Sequence, residues 1–490
     1  MTAAGLALAV QVISTVTLAR LLAPADFGIV TMVTTFSLLL VNFGLNGFSE
    51  AVIQFEEIDH QTASNLFWLN TGTALLLSIA LAAGGSLLAR FYRNPLVTHV
   101  AAFVSIGIVI SAVSVIHLAL LKRAIRFVGI SGNDFVGRVM NTTVSIVLAL
   151  KGWGYWALVA GILTQQLSVT VGALWLCPWI PSFPRRTGQT GAMVRFAAKV
   201  YGQFAVYYSH QNIDNLLVGW RFNAVALGFY KRAFDLFALT ASQVTSPLNN
   251  VALATLSRLN QDHDRFRKTL ASSLGMVAFV GMAASADLTL VGRDVVWLVL
   301  GAKWSESGRI FEIFGPGIGA MLLYSILGWV HLPIGKPGRW LRWSLVALAF
   351  TVCLFLAALP WGPAGIAAAW SISYWVLLVP SFWYAGRPIG FGVSALITSV
   401  WRYTAAALVA GGATAAIIHR TSLWSTSLNT SAALTATIVT SMLFVTLYLI
   451  MVILFYRGLT PLHELGSLLR ELAPSQKETT PVGEALEGCE

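Results

Sequence analysis

The sequence predicts an all-α, polytopic membrane protein, and three observations predict it. Of 490 residues, 57% are hydrophobic and only 10% charged, against roughly 25% charged in a soluble globular domain. Mean hydropathy is +0.74. Apolar runs of about 20 residues, the length that crosses a bilayer as a helix, recur from one end of the chain to the other.

The same composition excludes several classes. Cys177, Cys353 and Cys489 stand far apart without CxxC spacing, which argues against a disulfide framework or a zinc site. The formal charge of +11 does not mark a nucleic-acid surface. The bases lie in short clusters between apolar runs, as topology determinants do, and no nucleic-acid-binding module is present. No phosphate loop or nucleophile elbow appears, so no cofactor, metal or catalytic residue is expected. The first helix begins almost at Met1, without a basic n-region or a cleavage site, so no removable signal peptide is expected.

Fourteen spans follow in order: 2–22, 29–49, 64–89, 97–120, 130–150, 153–176, 193–217, 224–248, 269–291, 310–332, 342–360, 363–385, 394–418 and 432–456. Each is an apolar run of spanning length bounded by charged, Gly- or Pro-containing connections. The fifth, seventh and eighth are the most polar. With the N-terminus inside, inner connections carry fifteen Lys and Arg, among them Lys122, Arg123, Arg185 and Arg267, and outer ones nine. That excess predicts both termini on the cytoplasmic side. Beyond the last span, Leu462, Leu465, Leu469 and Leu472 recur at helical spacing and predict a short interfacial helix. The remaining tail reads as disordered.

An internal repeat organises these spans. "LAPADFGIVTM" (22–32) matches "FNAVALGFYKR" (222–232) in pattern, an offset of 200 residues. "GWGYWALVAG" (152–161) resembles "PWGPAGIAAA" (360–369), and "KRAIRF" after span four corresponds to "GKPGRW" after span ten. Six spans followed by six more, both starting inside, make a parallel repeat. That is a secondary-transporter signature, with the substrate site between the halves. The expected units are a first lobe (1–192), a second lobe (193–386), an appended pair (387–456) and a cytoplasmic tail (457–490).

Span seven carries the least expected chemistry. On a helix, Lys199, Gln203, Tyr207, His210 and Asp214 fall on one stripe flanked by Gln211. A charged group inside a membrane is costly and generally marks a pathway. Span two shows Thr31, Thr35, Asn42, Asn46 and Glu50 on one face. Span eight shows Lys231, Asp235, Ser242, Ser246 and Asn250 at those positions plus 200. Gln11 on span one maps onto Gln211, and span five shows Asp134, Arg138, Thr142 and Ser145. Polar faces on spans one, two, seven and eight suggest one shared hydrated cavity.

Plainer readings stand beside these. Asp134/Arg138 and Lys231/Asp235 are i,i+4 pairs that can simply neutralise each other. Ser and Thr on such faces often serve helix packing. "GPGIG" (315–319) lies inside span ten without a preceding strand and reads as close helix packing. His117, His331 and His419 show no ligand spacing, "HELGS" lacks the second His of a zinc motif, and the sequon "NTT" (141–143) falls within a span.

Two stretches carry a family resemblance. "LARLLAPADFGIVTMVTTFSLLLVNFGLNGFSEAVIQ" (18–54) and "NIDNLLVGWRFNAVALGFYKRAFDLFALTASQVTSPLNNVALATLSRLNQDHDRFRK" (212–268) resemble Wzx-type polysaccharide exporters. The nearest flavour is the colanic-acid-exporter branch of the multidrug/oligosaccharidyl-lipid/polysaccharide (MOP) flippase superfamily. The resemblance implies two six-helix lobes in a V, plus two further helices, in the bacterial cytoplasmic (inner) membrane. It implies an undecaprenyl-pyrophosphate-linked oligosaccharide as substrate, moved from the cytoplasmic to the periplasmic leaflet for surface polysaccharide assembly. Membrane lipids, a polysaccharide polymerase and a chain-length regulator are the expected partners. Family members carry a short segment, partly basic, ahead of span one, so the true start is open to lying upstream.

On this reading Arg20, Arg138, Lys199, Arg221 and Lys231 are candidates for the pyrophosphate. Gln11, Asn42, Asn46, Gln203, Tyr207, Tyr208 and Gln211 suit the sugar, and His210, Asp214 and Asp235 suit ion coupling. The alternatives are a multidrug/cation antiporter of the same superfamily and a membrane polymerase or ligase. The exporter stretches and the fourteen spans count against the first. The second calls for a large outer loop, and none here exceeds about twenty residues.

Overall fold

The computed structural model describes residues 2–55, 58–185, 190–239, 256, 259, 262–331, 333–334, 337–421 and 430–458. They are helical almost throughout. In chain order the helices are α1 (Thr2–Leu21), α2 (Pro24–Gln54), α3 (His60–Tyr92), α4 (Leu96–Arg123), α5 (Phe127–Leu150), α6 (Tyr155–Leu176) and α7 (Thr190–Arg221). There follow α8 (224–239), α9 (His263–Leu300), α10 (Ser305–Ser325), α11 (Pro337–Ala358), α12 (Gly362–Gly386), α13 (Val393–Thr421) and α14 (Thr430–Tyr456). The expected interfacial helix at 462–472, and Ser242, Ser246 and Asn250 of span eight, lie outside the described residues.

Helix ends run past the apolar windows because polar caps, invisible to hydropathy, set them. Asp59 accepts from the Thr62 N–H at 3.1 Å and Asp262 from the Arg265 N–H at 3.0 Å. α2 starts five residues before its apolar window, with Pro24 in the first turn and Asp26 accepting from the Ala23 N–H at 2.8 Å. Its repeat counterpart α8 is capped in the opposite sense, with Asn223, before the helix, accepting from the Ala226 N–H at 2.8 Å. Gly154 and Gly362 both take positive φ, at +54° and +77°, each directly after an exposed Trp and at the start of a helix.

Among the described residues, eight stretches are long and apolar enough to cross a membrane. One of them, Gly338–Ile389, runs through both α11 and α12, and Gly5–Leu21 is a shorter apolar helix. α5, α7 and α10 fall below that hydropathy, and the described part of α8 is too short to be counted; α5, α7 and α8 are the spans whose sequences are most polar. The protein is an all-helical, polytopic membrane protein.

α3 packs on α4 and α5 on α6, while α9 packs on α10 and α10 on α12. α13 and α14 lie against α9, where the Tyr448 hydroxyl donates to the Phe279 carbonyl at 2.7 Å. α7 is the bridging helix, in contact with α2 and α3 on one side and α11 and α12 on the other. "GPGIG" does provide close packing. Cβ atoms added at Gly315, Gly317 and Gly319 would come within 2.4–2.7 Å of Thr289, Ser371 and Met282.

The α1–α2, α7–α8 and α9–α10 turns meet at one end of the bundle. There α2 and α8 cross with reciprocal contacts. A Cβ on Gly28 would lie 1.8 Å from the Ala224 carbonyl oxygen, and one on Gly228 1.9 Å from that of Pro24. Residues 24 and 28 thus meet 224 and 228 in a pseudo-symmetric pair, the spatial form of the 200-residue offset. Around this crossing one apolar core is shared by both helix groups, from Leu18, Phe27 and Met32 to Leu227, Tyr230 and Trp304. At the opposite end a second core joins α2, α3 and α4, in which Phe48, Leu66 and Ile116 pack with Met193 and Ala197 of α7.

Candidate functional site

α7 holds its polar stripe between the two helix groups, and each polar residue has a distinct environment. Tyr201 and Tyr208 donate to the Leu39 and Thr35 carbonyls of α2, at 3.0 and 2.9 Å. His210 meets the Thr351 hydroxyl of α11 at 3.2 Å. Gln211 donates to the Tyr207 hydroxyl at 3.1 Å, and Tyr374 of α12 donates to Gln211 at 3.4 Å. Asp214 is fully buried, 1% exposed, and accepts from the Tyr230 hydroxyl of α8 and the Asn215 N–H, both at 2.8 Å. A buried carboxylate without donors costs several kcal/mol, and these two bonds are what allow Asp214 to sit there. His210 and Asp214 lie one turn apart but face different neighbours.

Next to Asp214 on α8, Lys231 is ion-paired with Asp235, and Arg232 approaches Asp235 at 3.6 Å. The Arg232 guanidinium also stacks 3.8 Å from the centre of the Phe27 ring on α2, a cation–π contact between the helix groups. Arg232, Tyr230, Thr351 and Tyr374 are absent from the sequence-derived candidates. Arg232 was legible as the neighbour of Lys231 in "YKRAFD". Tyr230 and Tyr374 carry no local signal of their own, since their hydroxyls find partners, Asp214 and Gln211, only on another helix.

The other candidates are spread along the bundle. Asn46 donates to Asn42 at 2.7 Å, and Asn42 to the Leu38 carbonyl at 2.7 Å. Asn46 lies within, and Asn42 just before, a π-helical turn, Gly44–Phe48, that interrupts α2. Such turns often occur at functional sites, and here Gly44 and Gly47 let α2 approach Asn70 and Ala197. Lys199 is exposed and Gln203 half-buried, toward the start of α7. Arg221 is exposed at the far end of that helix, about 33 Å away at 1.5 Å per residue. Gln11 is exposed on α1. Arg138 and Asp134 are exposed on α5, and among the described residues they form no ion pair with each other. The face of α5 that packs on α6 is a different one. It carries Asn133, which donates to the Val169 carbonyl, and Asn141, which donates to Gln165.

Arg20 belongs to the closed end. It donates to the Leu298 carbonyl at 3.0 Å, while Lys303 donates to the Arg20 and Leu22 carbonyls at 2.8 and 2.7 Å. The Trp304 indole donates to the Ala19 carbonyl at 2.8 Å. These bonds join the C-terminal ends of α1 and α9, where carbonyls lack helical partners and cations are favoured. Arg20 and Arg221 thus both stand at the closed end, while Lys199 lies toward the other end of α7, Lys231 on α8 and Arg138 on the exposed face of α5, so the five candidate cations do not converge on one point.

Comparison with known proteins places this architecture. The chain is 22% identical over 362 residues to the teichuronic acid biosynthesis protein TuaB of Bacillus subtilis, covering 73% of this chain and 74% of that one. It is 20% identical over 334 residues to the succinoglycan biosynthesis transport protein ExoT of Rhizobium meliloti, covering 68% of each. The fold is that of the lipid II flippase MurJ in its inward closed conformation, with TM-score 0.73, 14% identity, and 93% of this chain and 98% of that one covered. An inward-facing multidrug resistance MATE family transporter of the MOP superfamily follows, with TM-score 0.62, 12% identity and 79% and 95% covered. The profile described as "Polysaccharide biosynthesis protein" matches residues 17–309, more than half of the chain, and the chain belongs to that family.

Proposed function

We propose that this protein is a secondary transporter, not an enzyme, that flips a lipid-linked oligosaccharide across the bacterial inner membrane. The carrier is an undecaprenyl-pyrophosphate-linked repeat unit, which passes from the cytoplasmic to the periplasmic leaflet for surface polysaccharide assembly. The observation that carries this reading is the polar stripe of α7, held between two helix groups that meet at one end. A sealed end and a wet stripe leading to it are what an alternating-access carrier needs for a polar headgroup. The fold shared with MurJ, and relatives named for polysaccharide biosynthesis and transport, support it.

In this reading fourteen helices span the membrane, both termini are cytoplasmic, and the closed end is periplasmic. The first lobe comprises residues 1–192, the second 193–386 and the appended pair 387–456. Tyr207, Gln203, Gln211, Asn42 and Asn46 offer donors and acceptors to the sugar, with Gln11 at the rim. Lys199 meets the pyrophosphate on entry, Lys231 takes it over deeper in, and Arg138 assists from α5. Arg20 and Arg221 act at the exit. Asp214, with His210 and Asp235, carries the coupling cation or proton. A polymerase and a chain-length regulator receive the product.

The test is lipid analysis after depletion of the protein. Accumulation of undecaprenyl-linked oligosaccharide on the cytoplasmic side, with loss of surface polysaccharide, is expected. An unchanged lipid-linked pool with raised sensitivity to cationic drugs would establish the antiporter reading instead.

A further inference from the structure

Between the ends of α1 and α9 lies a cavity of about 420 Å³, lined by Arg20, Trp297, Leu298, Gly301 and Lys303 among others. Its two cations have no carboxylate in ion-pair range among the described residues. They are held instead by neutral backbone carbonyls. Arg20 uses one of its five N–H donors on Leu298, and Lys303 two of its three on Arg20 and Leu22. Donors remain on both. The acid within electrostatic reach of Lys303, Asp26, already accepts from the Ala23 N–H at 2.8 Å. The rest of the wall is apolar, from Trp297, Leu298 and Leu300.

Two under-used cations over an apolar wall suit an amphiphile with an anionic head. A phosphate oxygen is a stronger acceptor for guanidinium and ammonium than a carbonyl. The carbonyls that an anion would displace are those joining α1 to the α9–α10 turn.

We propose that this cavity binds the diphosphate of a lipid, and that binding draws Arg20 and Lys303 off the carbonyls that hold the seam shut. The seam is then a latch that stays closed while empty and is released by the headgroup it must pass. The inference rests on the flippase reading, because only then does a lipid diphosphate arrive at this end.

The experiment uses the full chain in nanodiscs, with Cys177, Cys353 and Cys489 replaced by Ser. A fluorine label on A302C reports the cavity, and a spin-label pair at Leu21 and Ala302 reports the seam. Polyprenyl diphosphate in the nanodisc should shift the fluorine signal and lengthen the spin distance. Inorganic pyrophosphate should need at least about tenfold higher concentration, and polyprenol should do neither. R20Q and K303Q should each weaken the response about tenfold, the loss of one charge-assisted hydrogen bond, while K303R retains it. Equal potency of inorganic pyrophosphate overturns the lipid assignment. An unchanged signal in wild type, or an undiminished one in the glutamine variants, overturns the site. Transport of lipid-linked oligosaccharide by wild type, measured alongside, separates the two readings. Intact transport with a silent cavity defeats this inference alone, and absent transport with a responsive cavity defeats only the flippase reading.

Discussion

Gly28→Ala should spring the closed end. Its added Cβ would lie 1.8 Å from the Ala224 oxygen, and the Gly228→Ala Cβ 1.9 Å from that of Pro24. Real Cβ contacts essentially never fall below 3.0 Å. The helices must therefore part by at least 1.2 Å for the first variant and 1.1 Å for the second. The clashing atoms are backbone, so no side-chain rotation relieves the strain. Overpacking of this kind costs about 1–3 kcal/mol, which shifts a two-state equilibrium roughly 5- to 150-fold. Because both substitutions demand the same displacement, the double variant should cost less than the sum of the singles. Gly84→Ala, with nothing within 4 Å, is the control and should leave the seam unchanged. The assay is the spin-label distance between Leu21 and Ala302, read beside export. Single variants that keep the wild-type distance, or a double variant that is strictly additive, would refute the reciprocal crossing as the closure.

Tyr230→Phe removes a donor from buried Asp214. It should destabilise the protein by about 1.5–3 kcal/mol and depress export, whereas Asp214→Asn combined with it should recover part of the stability, as thermal unfolding in detergent would show. Lys199→Ala and Asp214→Ala should abolish export at near-normal membrane levels of protein, and normal export in both would sink the stripe as the path. Cysteines at Arg221 and Arg185, both exposed, should label from opposite sides, Arg221 from the periplasm, and the reverse pattern would invert the topology. Hydrogen bonds from Thr62, chiefly through its hydroxyl, hold the Asp59 carboxyl below its ordinary value of 3.8. The cap on α3 is therefore intact above the ordinary carboxylate range and lost as pH falls through the lower folded value. Amide exchange at the start of α3 should accelerate only there, and acceleration already near pH 5 would contradict the cap.

Most of the architecture was legible because hydrophobic burial in a bilayer writes itself in 20-residue units. α4, α6, α12 and α14 match their apolar windows within a few residues. α2 and α9 do not, because Asp26 and Asp262 set their starts through backbone bonds that hydropathy cannot register. The offset of 200 between "LAPADFG" and "FNAVALG" showed a repeat, but not that its two copies touch, Gly28 against Ala224 and Gly228 against Pro24. The stripe on α7 was visible as spacing, while its partners Tyr230, Thr351 and Tyr374 come from other helices and leave no local signal. Lys303 and Trp304 read as an ordinary outer connection, since their bonds cross about 280 residues of chain. The π-turn at Gly44–Phe48 shows in sequence only as two glycines three apart.

The central claim is translocation, and reconstitution tests it most directly. Purified protein in proteoliposomes is given undecaprenyl-pyrophosphate-linked oligosaccharide on one leaflet, and the opposite leaflet is read with a membrane-impermeant glycan-cleaving enzyme. Transfer well above that of protein-free vesicles, lost in Asp214→Ala, is the predicted result. Transfer no faster than in empty vesicles, with ion-driven uptake of a cationic drug in the same preparation, would contradict the account.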